Sequence, residues 1–250
     1  MGRLDGKVAI VTGGGQGLGA ATATLFAQEG ASVAVVDRNE ETSRAVAEAI
    51  NGSDGRALAV TCDVRHRDQV DACIGATVDA FGPVDVLVQY AQIISIEIPF
   101  EDCTEEVFDD SWRSGCLGSI FFMQGCFPYL KERGGRIVNV ASGAAFEMTE
   151  QLAAYSMAKQ AIRSITRTAA KEWGRYGITV NAICPLAMTP AMSIWERDFP
   201  DHFEGMVDHV PLRRVGEPVD IARHVLSIVT DLDYCTGMTF MIDGGATGTC

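Results

Sequence analysis

Short apolar runs alternate along this chain with longer stretches whose apolar positions recur every three or four residues. Lys7 to Thr12 (Lys-Val-Ala-Ile-Val-Thr) is β-branched, unbroken and closed by glycines, the pattern of a strand buried on both faces. Gly13-Gly14-Gly15-Gln16-Gly17-Leu18-Gly19 follows, then a helix with Leu18, Ala21 or Thr22, and Leu25 along one stripe. Ala31 to Asp37 reads as a second strand with an acid at its carboxyl end. Further strands are expected at Ala57–Thr61, Val84–Val88, Arg136–Ala141, Ile178–Ile183 and Met238–Ile242. Helical periodicity covers Glu40–Ile50, Gln69–Phe81, Thr104 to about Leu130, Leu152–Tyr176 and Pro218–Val229. Pro185–Val210, rich in Met, Pro and aromatic residues, reads as irregular. Strands alternating with helices, with no repeats or linkers, predict an α/β doubly wound parallel sheet of six or seven strands. Ligands of such sheets bind beyond the carboxyl ends of the strands.

Composition narrows the function. At 250 residues the chain is long enough for one α/β domain, and 1–250 is read as a single unit. Lys and Arg number 20 against 33 Asp and Glu, a formal charge of −13. No basic surface is therefore available for nucleic acid or an anionic membrane. The carboxylates from Glu97 to Asp110 read as a solvated loop and helix start. The amino terminus lacks the apolar stretch of a signal peptide, and no run reaches the length of a membrane span. The eight cysteines form no CxxC pair and fit reduced thiols in a cytoplasmic protein. The four histidines show no HxxxH or HExxH spacing, so no metal is expected.

Two stretches carry candidate chemistry. Tyr155 and Lys159 in Tyr-Ser-Met-Ala-Lys lie one turn apart on one helix face. An ammonium beside a phenol favours the phenolate, which suits the pair to acid–base work on an alcohol or ketone. The glycine run follows a strand and opens a helix, where a backbone free of side chains can approach a pyrophosphate and the helix supplies N–H donors. Asp37, 18 residues past Gly19, can accept both adenosine ribose hydroxyls and repels a 2′-phosphate, which favours NAD(H) over NADP(H). Arg38 beside it is a potential partner for that phosphate. Asp63 is either an acceptor for the adenine amino group or a plain turn residue.

With these residues in view the chain resembles, end to end, the short-chain dehydrogenase/reductase family, which has a Rossmann-type fold. Thr12-Gly13-x-x-x-Gly17-x-Gly19 matches its glycine signature, and Asp63-Val64 its adenine contact. Ser142, 13 residues before Tyr155, completes with Lys159 its Ser–Tyr–Lys set. Asn181 to Pro185, Arg214-x-Gly216-x-Pro218 and Asp243-Gly244-Gly245 are further landmarks. The resemblance implies an NAD-dependent alcohol dehydrogenase or ketone reductase. Tyr155 would exchange a proton with the substrate oxygen, Lys159 would hold the nicotinamide ribose and lower the tyrosine pKa, and Ser142 would bind the substrate oxygen. Implied cofactor contacts are Gly13, Gln16, Gly17, Leu18, Gly19, Asp37, Arg38, Asp63, Val64, Ala91, Tyr155, Lys159, Pro185 and Thr189. Family members assemble as homotetramers or homodimers.

Three departures stand out. Gln89-Tyr90-Ala91-Gln92 replaces the usual Asn-Asn-Ala-Gly. Gly115 falls where a catalytic asparagine usually organises a water in the proton relay, leaving a backbone carbonyl at a helix bulge or Ser114 as substitutes. Pro185-Leu186 replaces Pro-Gly, and Thr189 arrives one residue early for its nicotinamide contact. In the family, the region at about 186–210 is a mobile lid over the substrate. Its Met192 and Trp195, with Met148, Phe146 and Tyr90 as further wall, suit a bulky apolar ring substrate such as a steroid, bile acid or isoflavonoid. The other reading of that region is two ordinary amphipathic helices or a subunit interface. An epimerase, racemase or dehydratase on this scaffold, or a non-catalytic NAD-binding protein, are the alternative functions.

Overall fold

The apolar runs form seven strands: β1 (Val8–Thr12), β2 (Ser32–Asp37), β3 (Arg56–Thr61), β4 (Val86–Gln89), β5 (Gly135–Val140), β6 (Ile178–Pro185) and β7 (Thr239–Ile242). This computed structural model describes residues 2–94, 98–146 and 149–248. The strands make one sheet ordered β3-β2-β1-β4-β5-β6-β7, and every neighbouring pair is parallel. Ala9, Val11, Val33 and Val35 face one apolar layer, whereas Ile10, Ala34, Val36 and Leu87 face the other. That alternation of period two is hidden in the sequence because both faces are covered.

The helices are α1 (Gly17–Gln28), α2 (Glu40–Asn51), α3 (Arg67–Phe81), α4 (Glu105–Ser111), α5 (Gly118–Arg133), α6 (Ala153–Trp173), α7 (Pro190–Asp198), α8 (Pro200–His209) and α9 (Pro218–Thr230). Phe26 of α1 and Val225 of α9 pack on one face of the sheet. Ile74 of α3, Leu130 of α5 and Ala169 of α6 pack on the other. The order of strands reverses between β1 and β4, and their carboxyl ends open the crevice where such folds bind ligands. Tyr90 and Ala91 are tied across it, donating from their N–H groups to Thr12 O at 3.1 Å and Thr12 Oγ1 at 3.2 Å.

Leu18 and Leu25 of α1 pack half-buried against the core, beside the fully buried Thr22, Ala23 and Phe26. Two expectations are corrected. The long helix from Thr104 is broken by a π-helical turn, Trp112–Leu117, between α4 and α5. The supposedly irregular Pro185–Val210 contains α7 and α8. Thr189 caps α7 by accepting from Met192 N at 3.1 Å. Pro190 and Pro200 sit in the first turns, where a missing N–H costs nothing, so these prolines start helices rather than break them. Among the described residues no helix is long and apolar enough to cross a membrane.

Candidate active site

The glycine run is a cradle that side chains would fill. Gly13 has φ +65°, and a Cβ there would lie 2.9 Å from Ala91 N. A Cβ on Gly19 would overlap the Gly13 carbonyl. Gly14 N–H donates to Val36 O at 2.9 Å, fixing the loop to β2. Gln16, the residue before α1, is exposed and makes no side-chain cap, so its side chain does not occupy the first N–H donors of α1. Those features fit a pyrophosphate. Asp37 accepts from Gly15 N and Asn39 N, both at 3.0 Å, which fixes the carboxylate at the end of β2 beside the loop. Arg38 is exposed.

Asp63 is more occupied than its expected adenine contact requires. Arg65 grips it through Nε at 3.1 Å to each oxygen and through Nη2 at 2.7 Å, and reaches Asp110 with Nη1 at 2.7 Å. This guanidinium holds the Asp63 carboxyl below the usual carboxylate range. Val64 is buried and abuts Gly118, where a Cβ would come within 3.0 Å of it. Its observed work is packing the start of α5.

The first turns of α6 bring Tyr155 and Lys159 to the carboxyl end of β5. Lys159 is buried, and its Nζ donates to Val140 O at 2.7 Å while lying 5.3 Å from the centre of the Tyr155 ring. Burial pulls the Lys159 ammonium down to about 7. Burial pushes the Tyr155 phenol up, against the hydroxyl of Ser142, which favours the phenolate. The expected lowering of the tyrosine by the lysine is thus not seen in this state, in which desolvation is the largest influence on both groups. Ser142 also accepts from Ala144 N at 3.2 Å, so its hydroxyl caps the short 3₁₀ turn Gly143–Ala145 while facing Tyr155. Cys184 is the other titratable side chain bearing on both Tyr155 and Lys159.

The departures have definite structural outcomes. Gln89 is buried and donates to Asn139 Oδ1 at 2.8 Å and to Ser119 O at 3.3 Å. Asn139 in turn donates to Thr166 Oγ1 at 2.8 Å, completing a polar chain from β4 through β5 to α6. The expected helix bulge exists, and the Gly115 carbonyl in it accepts the Ser119 hydroxyl at 2.7 Å. Ser114 donates to Asp110 O at 2.6 Å and accepts from Ile93 N at 3.0 Å. The side chain resting on Gly115 is Gln92, whose amide atoms lie 3.0 to 3.1 Å from where a Cβ would be.

The expected substrate wall is redistributed. Tyr90 turns inward, pairing its hydroxyl with Thr22 Oγ1 at 2.8 Å, so it packs against α1 and not in a substrate pocket. Phe146 stacks on Arg163 in a cleft of about 970 Å³ that is bordered by Leu212, Arg214 and Met241 and contains none of Ser142, Tyr155 or Lys159. Met192 and Trp195 share the half-buried face of α7, with Trp195 edge-on to Phe203 of α8 at 5.9 Å. Met148 lies outside the described residues. Pro185 ends β6 half-buried, and the bridge between Ala187 and Gly216 holds the chain on its way to Thr189. A Cβ at Gly17 would come within 3.3 Å of Pro190 Cδ, so α7 begins directly over the glycine cradle. The Arg65 clamp and the Asn139 link had no motif to announce them. Their only sequence signals were an arginine two residues past an acid and an asparagine inside an apolar strand.

A family model described as enoyl-(acyl carrier protein) reductase, of the short-chain dehydrogenase/reductase type, matches residues 13–247. A 12α-hydroxysteroid dehydrogenase from Clostridium sp. is 36% identical over 98% of this chain and 98% of its own. A D-threitol dehydrogenase from Mycolicibacterium smegmatis is 33% identical over 98% of this chain and 94% of its own. The crystal structure of levodione reductase superposes with a TM-score of 0.93 at 31% identity, covering 99% of this chain and 100% of the other. A 7α-hydroxysteroid dehydrogenase complexed with NADH and 7-oxo glycochenodeoxycholic acid gives 0.93 at 31%, covering 97% and 95%.

Proposed function

Because this chain belongs to the short-chain dehydrogenase/reductase family and is an oxidoreductase of alcohols and ketones, we propose that it interconverts a secondary alcohol and a ring ketone with NAD(H). The observation that carries this reading is the cluster of Ser142, Tyr155 and Lys159 at the carboxyl end of β5, on the crevice side that the glycine cradle also borders. The bound nicotinamide supplies or accepts the hydride. In reduction, Tyr155 gives its phenolic proton to the carbonyl oxygen, and in oxidation it takes the hydroxyl proton. Ser142 donates to the same oxygen and offsets the charge that develops there. Lys159, held by Val140 O, positions the nicotinamide ribose and passes protons to Tyr155. Gly13, Gln16, Gly17, Leu18 and Gly19 cradle the pyrophosphate, with Ala91, Pro185 and Thr189 toward the nicotinamide. Val64 and Asp63 border the adenine.

Asp37 favours NAD(H), since its carboxylate stands where a 2′-phosphate would meet like charge. Met192 and Trp195 favour a bulky apolar ring, and the steroid-acting relatives support the same substrate class. We read 1–250 as one catalytic unit with 186–210 as its lid, acting as a homotetramer or homodimer. The seven described cysteines are all unpaired, which fits a cytoplasmic location. The test is cofactor oxidation by wild type and Tyr155→Phe over steroidal, polyphenolic and small ring ketones. Turnover lost in the variant supports the reading, while cofactor binding without turnover of any ketone overturns it.

A further inference from the structure

Two carboxylates mark the carboxyl ends of the neighbouring strands β2 and β3, and they are spent very differently. Asp37 ends β2, and its backbone carbonyl accepts the Cys62 N–H at 2.9 Å, which sets Asp63 just past β3 beside it. An ionised carboxylate has about four lone-pair positions. Asp37 uses one on each oxygen, for Gly15 N and Asn39 N, and keeps one on each. Asp63 uses them all. Its Oδ1 accepts from Arg65 N at 3.0 Å and Arg65 Nε at 3.1 Å, and its Oδ2 from Nε at 3.1 Å and Nη2 at 2.7 Å. The backbone of Asp63 is committed too, its N–H donating to Gln69 Oε1 at 2.9 Å and its carbonyl accepting from His66 N at 3.1 Å.

Arg65 is locked from the far side as well. Its Nη1 donates to Asp110 Oδ1 of α4 at 2.7 Å, while Val64, between Arg65 and Asp63 in the chain, packs against Gly118 at the start of α5. A guanidinium has five N–H donors. Three are engaged, on Asp63 through Nε and Nη2 and on Asp110 through Nη1, which leaves one on each terminal nitrogen. The Arg65 side chain is 29% exposed and that of Asp63 22%, so protein does not seal the pair. A ligand arriving here meets spare donors and a carboxylate with no acceptor to spare.

A dinucleotide with its pyrophosphate on the glycine cradle after β1 and its ribose held by Asp37 after β2 carries its base onward to β3, the next strand of the sheet. Selection for an amino group on that base arises when a base lacking it leaves an acceptor unpaired. Asp63 is never left unpaired, because Arg65 fills it whether or not the base brings a donor. We propose that Arg65 sets base selectivity by occupying Asp63, so that the site does not read the 6-amino group of adenine and takes a 6-oxopurine dinucleotide equally well. Arg65 acts through Asp63 and is a positioning residue. A bare carboxylate would repel the carbonyl of a 6-oxopurine, whereas one neutralised by a guanidinium with free N–H groups does not. The proposal rests on the NAD(H) reading above, and not on which alcohol or ketone is turned over.

The experiment measures binding of NADH and of reduced nicotinamide hypoxanthine dinucleotide by fluorescence, with no ketone present. The two coenzymes differ only at the purine 6-substituent and the N1 proton that accompanies it, so their affinity ratio cancels losses that come from folding or loop order. Wild type is expected to bind the two within about threefold of each other, since no hydrogen bond to a charged acceptor is at stake. In Arg65→Met the Asp63 oxygens are freed, and NADH should be preferred by roughly tenfold or more, the worth of such a bond. The double variant R65M/D63A removes the acceptor again and should return the ratio to its wild-type value. A wild type that prefers NADH by about tenfold, or an R65M whose ratio does not move, overturns the proposal. The wild-type ratio decides even where R65M fails to fold. Binding of neither coenzyme by wild type removes the NAD(H) reading and this proposal together, whereas binding of both with adenine preferred removes this proposal alone.

Discussion

Lys159 Nζ donates to the Val140 carbonyl at 2.7 Å in a buried site, so the lysine beside Tyr155 is anchored to the end of β5 and screened from water. Desolvation lowers its pKa from 10.5 to about 7 in the fold. Between those values the unfolded chain holds a proton that the native chain has released, so stability rises with pH across that window, and the buried charge costs most below pH 7. Lys159→Met should therefore raise the melting temperature at pH 6 in the absence of cofactor, by roughly 2–4 °C for each kcal/mol relieved. The gain should shrink toward pH 10, and turnover should be lost. Melting curves at the two pH values check the sign, and a variant less stable at pH 6 contradicts it.

Gly19→Ala places a methyl against the Gly13 carbonyl and forces the glycine loop to move. The expected result is a loss of about 1–3 kcal/mol in stability from overpacking. Cofactor affinity should fall at least tenfold, because the loop and the start of α1 supply the same donors. Denaturant titration and cofactor fluorescence read the two effects separately.

Arg65 joins Asp63 to Asp110 across two elements, β3's exit and α4. All three side chains are partly exposed, so Arg65→Met should cost only about 1 kcal/mol near neutral pH. The lowered Asp63 carboxyl contributes stability above its unfolded pKa that is lost as pH falls through its folded pKa. The deficit of the variant should thus fade as pH falls through the lowered folded pKa of Asp63. Because Arg65 fills the Asp63 oxygens, the variant should bind the adenine half of the cofactor at least as well as wild type, which titration with ADP-ribose tests.

Asp37→Ser removes the charge that would oppose a 2′-phosphate, with Arg38 left beside the site. The ratio of NADP(H) to NAD(H) affinity should rise at least tenfold. An unchanged ratio would show that another group sets the choice.

The sheet was legible because its five central strands are short apolar runs buried on both faces, and because glycine or an acid bounds all seven. The triplet Ser142, Tyr155 and Lys159 was legible through spacing, and the structure gathers it at one strand end. What spacing did not reveal depended on direction. Tyr90 points at Thr22 on α1, and Phe146 at Arg163, although both sit next to site residues in the chain. The helices within Pro185–Val210 were masked because proline ends a helix from inside but begins one at its first turn. The pairing of Gln92 with Gly115, 23 positions apart, emerges only when β4 and the π turn are brought together.

Pro190 at the head of α7 stands over Gly17, the residue where the phosphate cradle turns into α1. An outward shift of α7 would therefore uncover the glycine turn together with the face that bears Met192 and Trp195, so that access at both places depends on a single helix.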